Sequence, residues 1–144
     1  MSLYSLVYVS LATKPMSDEE LKVLLQVCRT NNAKLDITGM LLYRDGFFIQ
    51  ALEGEEQPVE DLFAKINDDP RHTNVLVVHR GDITTEGRTF GEWAMGFNKV
   101  KLDEAKQIPG FTDFLNAPQN NGFFSSNPDR AHRLLQAFRD RTFF

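Results

Sequence analysis

The stretch Cys28–Gly54 constrains this chain more than any other. Two apolar runs meet at Asp45-Gly46, a dipeptide that supplies the positive φ angles of a two-residue hairpin turn. The reading is the end of a helix, a short link, and a hairpin with strands over Asp36–Tyr43 and Phe47–Glu53. In the second strand Phe48 and Leu52 flank Gln50 on one face while Phe47, Ile49 and Ala51 occupy the other, which is the pattern of a strand buried on both sides. A carboxamide there has one acceptor and two N–H donors to satisfy, and a buried polar group left unpaired costs about 1–3 kcal/mol. Gln50 therefore needs a partner. Asn31 and Asn32 fall where the helix is expected to stop. Asparagine tolerates the left-handed conformation that often ends helices, which accounts for one of them and leaves a second amide for the polar edge of a ligand.

The remaining elements follow from periodicity. Leu3–Ser10 reads as a strand, with Tyr4, Leu6 and Tyr8 on one face. Ser17-Asp18-Glu19-Glu20 has the form of a capping box, with Met16 and Leu21 at the positions of a hydrophobic staple. Leu21, Leu24, Leu25 and Cys28 then give the first helix an inward stripe that Val23 and Val27 widen. Cys28 reads as a reactive thiol or as a small residue of that stripe, and the stripe favours the second. A second helix starts near Pro58 and presents Val59, Leu62, Phe63 and Ile66. A strand over Asn74–Arg80 completes the order β-α-β-β-α-β, the ferredoxin-like pattern of an α+β domain. Right-handed crossovers place both helices on one face of the sheet and make the first and third strands central neighbours, so that Tyr8 and Gln50 lie side by side. A fifth strand over Glu92–Asn98 makes the sheet mixed and aligns Trp93, Met95 and Phe97, a stripe that pattern alone assigns to core. A short helix near Ile108–Leu115 and another over Asp129–Asp140, with Ala131, Leu134, Leu135 and Phe138 inward, are expected to cover the other face. The domain division is thus 1–100 for the sheet and its two helices and 101–144 for a helical extension packed on it.

The chain has 144 residues and a net charge of −4, and with no basic run or Arg/aromatic interleaving nucleic acid is not an expected partner. No signal peptide or long apolar run occurs, so a cytoplasmic protein with no membrane contact is expected. One cysteine and three scattered histidines speak against a disulfide or a zinc motif. Nothing resembles a phosphate loop or a G-x-S-x-G nucleophile, so no enzyme is expected. "SLATKPMSD" also lacks the glycine-rich anion loop and arginine of an acylphosphatase-like hydrolase. Asp69, Arg71 and His72 form a compact charged cluster that an ordinary helix-stop loop would also explain. What remains is a set of neutral hydrogen-bonding groups. Tyr8, Asn31, Asn32 and Gln50 surround a slot between the two helices, with Leu24 and Ile66 as apolar plates, and a flat, polar-edged ligand suits such a slot.

These residues carry a resemblance. "LVYVS" with Tyr8, "NNAKLDITGMLLY" with Asn32, "GFFIQALEGE" with Gln50, "DPRH", and "FGEWAMGF" with Trp93 and Met95 together resemble the BLUF domains, blue-light sensors that hold a flavin noncovalently between two helices of a ferredoxin-like fold. The resemblance implies FAD, FMN or riboflavin as cofactor and Tyr8 and Gln50 as the photoactive pair. It implies Asn32 at the O4/N3 edge of the ring, Asn31 toward its pyrimidine side, Leu24 and Ile66 as sandwiching residues, and Asp69 and Arg71 at the ribityl chain or polar end. It also makes Trp93 and Met95 part of the photoactive set rather than plain core. Tyr8 would give an electron and proton to the excited flavin, and Gln50 would change orientation, tautomer or both, bonding O4 more strongly and moving absorption to the red. No output segment is expected after residue 100, so the resemblance implies a short member that assembles as a homo-oligomer and signals to a separate cytosolic protein. The other reading is a light-independent small-molecule-binding regulatory domain of the same fold.

Overall fold

A computed structural model of the chain describes residues 2–85, 87–91 and 93–97, the side chains of 94–97 excepted, together with Leu135. In chain order its elements are β1 (Tyr4–Ala12), α1 (Asp18–Lys34), β2 (Thr38–Arg44), β3 (Phe47–Gly54), α2 (Glu56–Asn67), β4 (His72–Asp82) and β5 (Trp93–Phe97). The strands form one sheet in the order β4-β1-β3-β2-β5. The first four are antiparallel to their neighbours, and β5 adds parallel to β2. This is the ferredoxin-like arrangement with a fifth strand.

The pleat divides the apolar residues between the two faces. Tyr4, Leu6, Tyr8, Ile37 and Leu52 pack with Val59 and the stripe Leu62, Phe63 and Ile66 of α2, while Leu41, Tyr43, Phe48 and Trp93 pack with Leu21 and Leu25 of α1. Both helices therefore cover one face. Leu21 and Leu25 are each 1 % exposed, and burying a leucine side chain stabilises by about 1.5–3 kcal/mol. On the other face Val7, Met40, Leu42, Ile49, Ala51 and Phe90 pack together with Leu135, a helical residue that is fully buried. The rest of the helix expected over 129–140, and the one expected near 108–115, lie outside the described residues.

α1 starts at the capping box. Glu20 N–H donates to Ser17 Oγ and Ser17 N–H to Glu20 Oε1, each at 3.1 Å, and the Ser17 backbone N–H, followed by its hydroxyl, holds the Glu20 carboxyl below the usual carboxylate range. Met16 packs against the cluster that contains Leu21, as a staple requires. Ser17→Ala should cost about 1 kcal/mol, a fall of roughly 2–4 °C in melting temperature by circular dichroism.

Several boundaries differ from expectation for identifiable reasons. α1 does not stop at Asn31-Asn32. It runs to Lys34, and the left-handed residue is Asp36 with φ 54°. There the Asn32 carbonyl accepts N–H bonds from Leu35 and Ile37 and turns the chain into β2. Val23 and Val27 do not widen the inward stripe: they are 63 % and 51 % exposed, on the side of α1 away from Leu21, Leu24, Leu25 and Cys28, which meet the sheet. β1 extends past Ser10, since Leu11 pairs with Phe47 and Ala12 N–H bonds the Gly46 carbonyl at 2.8 Å. β4 extends beyond Asn74–Arg80 at both ends, because His72 and Thr73 pair with Ala12 and Leu11 while Gly81 and Asp82 pair with Ser5 and Tyr4. Asn74, expected as the first strand residue, instead has φ 54° at an irregularity in the β1–β4 register. The hairpin turn is as read, with Asp45 at φ 53° and Gly46 at φ 83°. No helix among the described residues is long and apolar enough to cross a membrane.

Candidate functional site

Two strand positions build the centre of the site. Tyr8 of β1 and Gln50 of β3 are direct partners in the antiparallel register, so their side chains leave the sheet together beneath the helices. The Tyr8 hydroxyl donates to Gln50 Oε1 at 2.7 Å, and both residues are 3 % exposed. Burial pushes the Tyr8 phenol far above its ordinary range, so it is neutral and keeps its proton for donation. A second register shift between β1 and β4 falls at Val7/Tyr8, and bulges of this kind re-aim side chains beside sites.

Above this pair, between α1 and α2, lies a cleft of about 570 Å³, part of it open to solvent. The sheet contributes Tyr8, Leu41, Phe48 and Gln50 to its floor. Leu24, Cys28 and Asn32 line it from α1, and Leu62 and Ile66 from α2. Asp69, Arg71 and His72 follow α2, and Met16 precedes α1. Of the sequence-based candidates, Tyr8, Leu24, Asn32, Gln50, Ile66, Asp69 and Arg71 are thus gathered around one space. Asn31 is not: it is exposed on α1 and lines no part of the cleft. Trp93 is buried beneath α1 with Leu21, Leu25 and Phe48 and is not among the lining residues; its indole N–H has no partner among the described residues. Met95 stands opposite Leu41 in the β2–β5 register, and its side chain lies outside the described residues.

Two amides face this space with hydrogen-bonding capacity unused. Asn32 is 2 % exposed, and its side chain makes no hydrogen bond among the described residues. Gln50 is engaged only through its oxygen, which leaves its N–H₂ end without a partner among the same residues. Both amides line the cleft beside Leu24 and Ile66, an arrangement suited to a ligand with acceptors and donors on its edge and apolar faces.

The wall by α2 is braced. His72 Nε2 bonds the Ile66 carbonyl at 2.5 Å and Nδ1 meets Ser10 Oγ at 2.8 Å. A carbonyl only accepts, so Nε2 carries the proton, and in the neutral ring Nδ1 accepts from the serine. The imidazole stands edge-on to Tyr8 and Phe48, with ring centroids at 6.0 and 6.2 Å. At the mouth the Arg71 guanidinium forks onto Asp69, with Nε–H at 3.0 Å from both oxygens and Nη2–H at 2.5 Å from Oδ2. These bonds hold the Asp69 carboxyl below the usual range.

Sequence reasoning did not assign Met16, Cys28, Leu41, Phe48, Leu62 or His72 to the site. Phe48 and Leu62 carried a signal, being two residues from Gln50 on a strand and four from Ile66 on a helix. Cys28 follows its stripe reading, packing against the α1 cluster, and also lines the cleft, which neither reading anticipated. Burial pushes its thiol up to about 11, so at neutral pH it is the protonated, weakly nucleophilic form.

A mixed sheet under two helices, opening between them onto a phenol–amide pair, is the architecture of a binding module suited to a flat, polar-edged molecule. The comparisons with known proteins give the family: the description "Sensors of blue-light using FAD" matches residues 3–96, and the chain belongs to the BLUF family of flavin-binding blue-light sensors. The chain is 42 % identical over 95 residues, 65 % of its length, to the photoactivated adenylate cyclase subunit beta of Euglena longa, and 39 % identical over 95 residues to that of Euglena gracilis. It spans only 11 % of either relative. Among solved structures, the BLUF domain of BlrP1 superposes with a TM-score of 0.69 at 30 % identity, covering 96 % of this chain and 90 % of that one. Klebsiella pneumoniae BlrP1 with FMN and cyclic diGMP gives 0.69 at 31 % identity, covering 97 % of this chain and 35 % of that one.

Proposed function

We propose that this protein is a blue-light photoreceptor in which Tyr8 and Gln50 respond to an excited flavin by exchanging hydrogen-bond partners. The observation that carries the reading is the 2.7 Å bond from the Tyr8 hydroxyl to Gln50 Oε1 on the floor of the cleft, beside the amide of Asn32, which has no partner among the described residues. The flavin is read as FAD, with FMN or riboflavin as substitutes. A bound flavin supplies the absorption of blue light and, once excited, an oxidising strength. Asn32 and the free N–H₂ of Gln50 hydrogen-bond the polar edge of the ring, Leu24 and Ile66 cover its faces, and Asp69 and Arg71 stand by the ribityl chain. Asn31, exposed on α1, reaches at most the rim of the pyrimidine side.

Tyr8 is the electron and proton donor. Its hydroxyl already points at Gln50, so the proton has a short path through the amide, and the neutral phenol has that proton to give. Gln50 is the switch because its oxygen and N–H₂ ends have nearly the same shape. Re-aiming them, by rotation or tautomer change, rewires the bond with Tyr8 and lets Gln50 donate a stronger bond to O4 of the ring without repacking Phe48 or Leu52. Trp93 and Met95 then pass the change to β5. The chain is read as a sensor rather than an enzyme, acting in the cytoplasm as a homo-oligomer on a separate output protein. The Euglena relatives, cyclase subunits of which the aligned region is a small fraction, support the assignment of output to other parts. Residues 1–100 are the light-sensing domain and 101–144 an extension packed on the sheet, which the burial of Leu135 supports.

The test is a visible spectrum of the purified protein before and after blue light. A yellow protein with a small, thermally reversible red shift is expected. A colourless protein that takes up no flavin on reconstitution would overturn the reading.

A further inference from the structure

The segment before β5 is held by a polar cluster that the photochemical reading leaves unused. Glu53, three residues after Gln50 on β3, is fully buried. Its carboxylate accepts N–H bonds from Thr89, at 2.9 Å from both oxygens, and from Phe90 at 2.9 Å. Thr89 and Phe90 are themselves buried. Arg88 adds a second hold. Its Nη1 donates to Thr38 Oγ1 at 2.7 Å and to the Glu53 carbonyl at 3.0 Å, and its Nη2 donates to the Asp36 carbonyl at 2.9 Å and to Asp36 Oδ2 at 3.2 Å.

The placement of these anchors matters. The cleft has two amides, Asn32 at the end of α1 and Gln50 in β3. Arg88 grips Asp36, in the turn that the Asn32 carbonyl organises, and also the backbone of Glu53 on the strand of Gln50. Both amide-bearing elements are thereby tied to one short segment, and that segment leads within five residues to Trp93 and the parallel pairing of β5 with β2. Surface ion pairs contribute little, but most of these bonds run to backbone groups and fix direction as well as distance. A planar guanidinium can satisfy several such acceptors at once where an ammonium cannot.

We propose that Arg88 and Glu53 form a latch that couples the two amides of the cleft to β5, so that a change of hydrogen bonding at Gln50 reaches β5 through this latch as well as through side-chain packing. The inference rests on the photoreceptor reading. Arg88 and Glu53 are positioning residues: neither lines the cleft, so the light reaction itself does not need them.

The experiment compares light-minus-dark hydrogen exchange over residues 88–97 in flavin-loaded wild type, Arg88→Lys and Thr38→Val. All three also have their red shift and melting temperature measured. Thr38→Val keeps a β-branched strand residue and removes one acceptor, so it provides a folded variant if the lysine variant is too unstable. The expected result is a full red shift in every protein, a light-induced exchange difference in wild type, a large reduction of that difference in Arg88→Lys to the part carried by side-chain packing, and a smaller reduction in Thr38→Val. A merely structural role would lower the melting temperature and raise exchange equally in light and dark, leaving the difference intact, and that outcome overturns the latch. So does a wild type that shifts to the red with no exchange difference over these residues. Absence of the red shift in wild type contradicts the photoreceptor reading itself and is distinguishable from both.

Discussion

Gln50→Leu should bind flavin and show no light-driven red shift at all. Leucine matches the glutamine in size and suits a position flanked by Phe48 and Leu52, so the sheet and the plates Leu24 and Ile66 are retained. What disappears is a group able to present a donor or an acceptor from the same place. The hydroxyl of Tyr8, a residue only 3 % exposed, loses its acceptor, at a cost of about 1–3 kcal/mol. That cost lowers the melting temperature without emptying the cleft, since on the proposed reading Asn32 still holds the ring edge. Absorbance difference spectra on the loaded variant check the prediction. A red shift of wild-type size would remove Gln50 from the role of switch, and Tyr8→Phe, which removes only the hydroxyl, provides the matching test of the donor.

The second large effect concerns affinity. Asn32→Leu should weaken flavin binding by about 10- to 100-fold, because the proposed bonds from Asn32 to the ring edge are lost and ligand donors and acceptors are left unpaired, worth about 1–3 kcal/mol at 1.4 kcal/mol per tenfold. Asn31→Leu should change affinity by much less, because Asn31 is exposed on the outside of α1. Titration of the apo-proteins with riboflavin, followed by quenching of its fluorescence, measures both. Equal losses in the two variants would contradict the assignment of the ring edge to Asn32.

The part of the fold that was legible is the part fixed by local chemistry. Asp45-Gly46 marks a turn whatever surrounds it, Ser17 and Glu20 cap each other through bonds they make themselves, and the element order then leaves a right-handed, ferredoxin-like path in which Tyr8 and Gln50 must be neighbours. What was not legible depends on partners distant in sequence. The Asn31-Asn32 pair looked like a helix stop because asparagine is a good one, yet the chain turns two residues after Lys34, at Asp36, where Arg88 is available to hold the carbonyl and carboxylate. Val23 and Val27 satisfy a helical stripe in one dimension, but the residues of α1 that meet the sheet are Leu21, Leu24, Leu25 and Cys28. His72 read as part of a charged loop, and the pairing of its backbone with Ala12 makes it instead the first residue of β4 and a brace for Ile66. Glu53 gave no sign of being a buried anchor, since a strand-end glutamate is ordinarily solvated and its N–H partners come from residues 36 and 37 positions later.

The claim that a phenol and an amide on adjacent strands share a hydrogen bond that light rearranges is tested most directly at the flavin carbonyl. Light-minus-dark infrared difference spectroscopy reads the C4=O stretch of the bound flavin. In wild type the band should move to lower frequency in the light, as a stronger bond from Gln50 forms, and recover in the dark, while Tyr8→Phe and Gln50→Leu should show no such movement. A wild-type carbonyl band that stays in place while the visible absorption shifts, or one that moves equally in Gln50→Leu, would contradict the account.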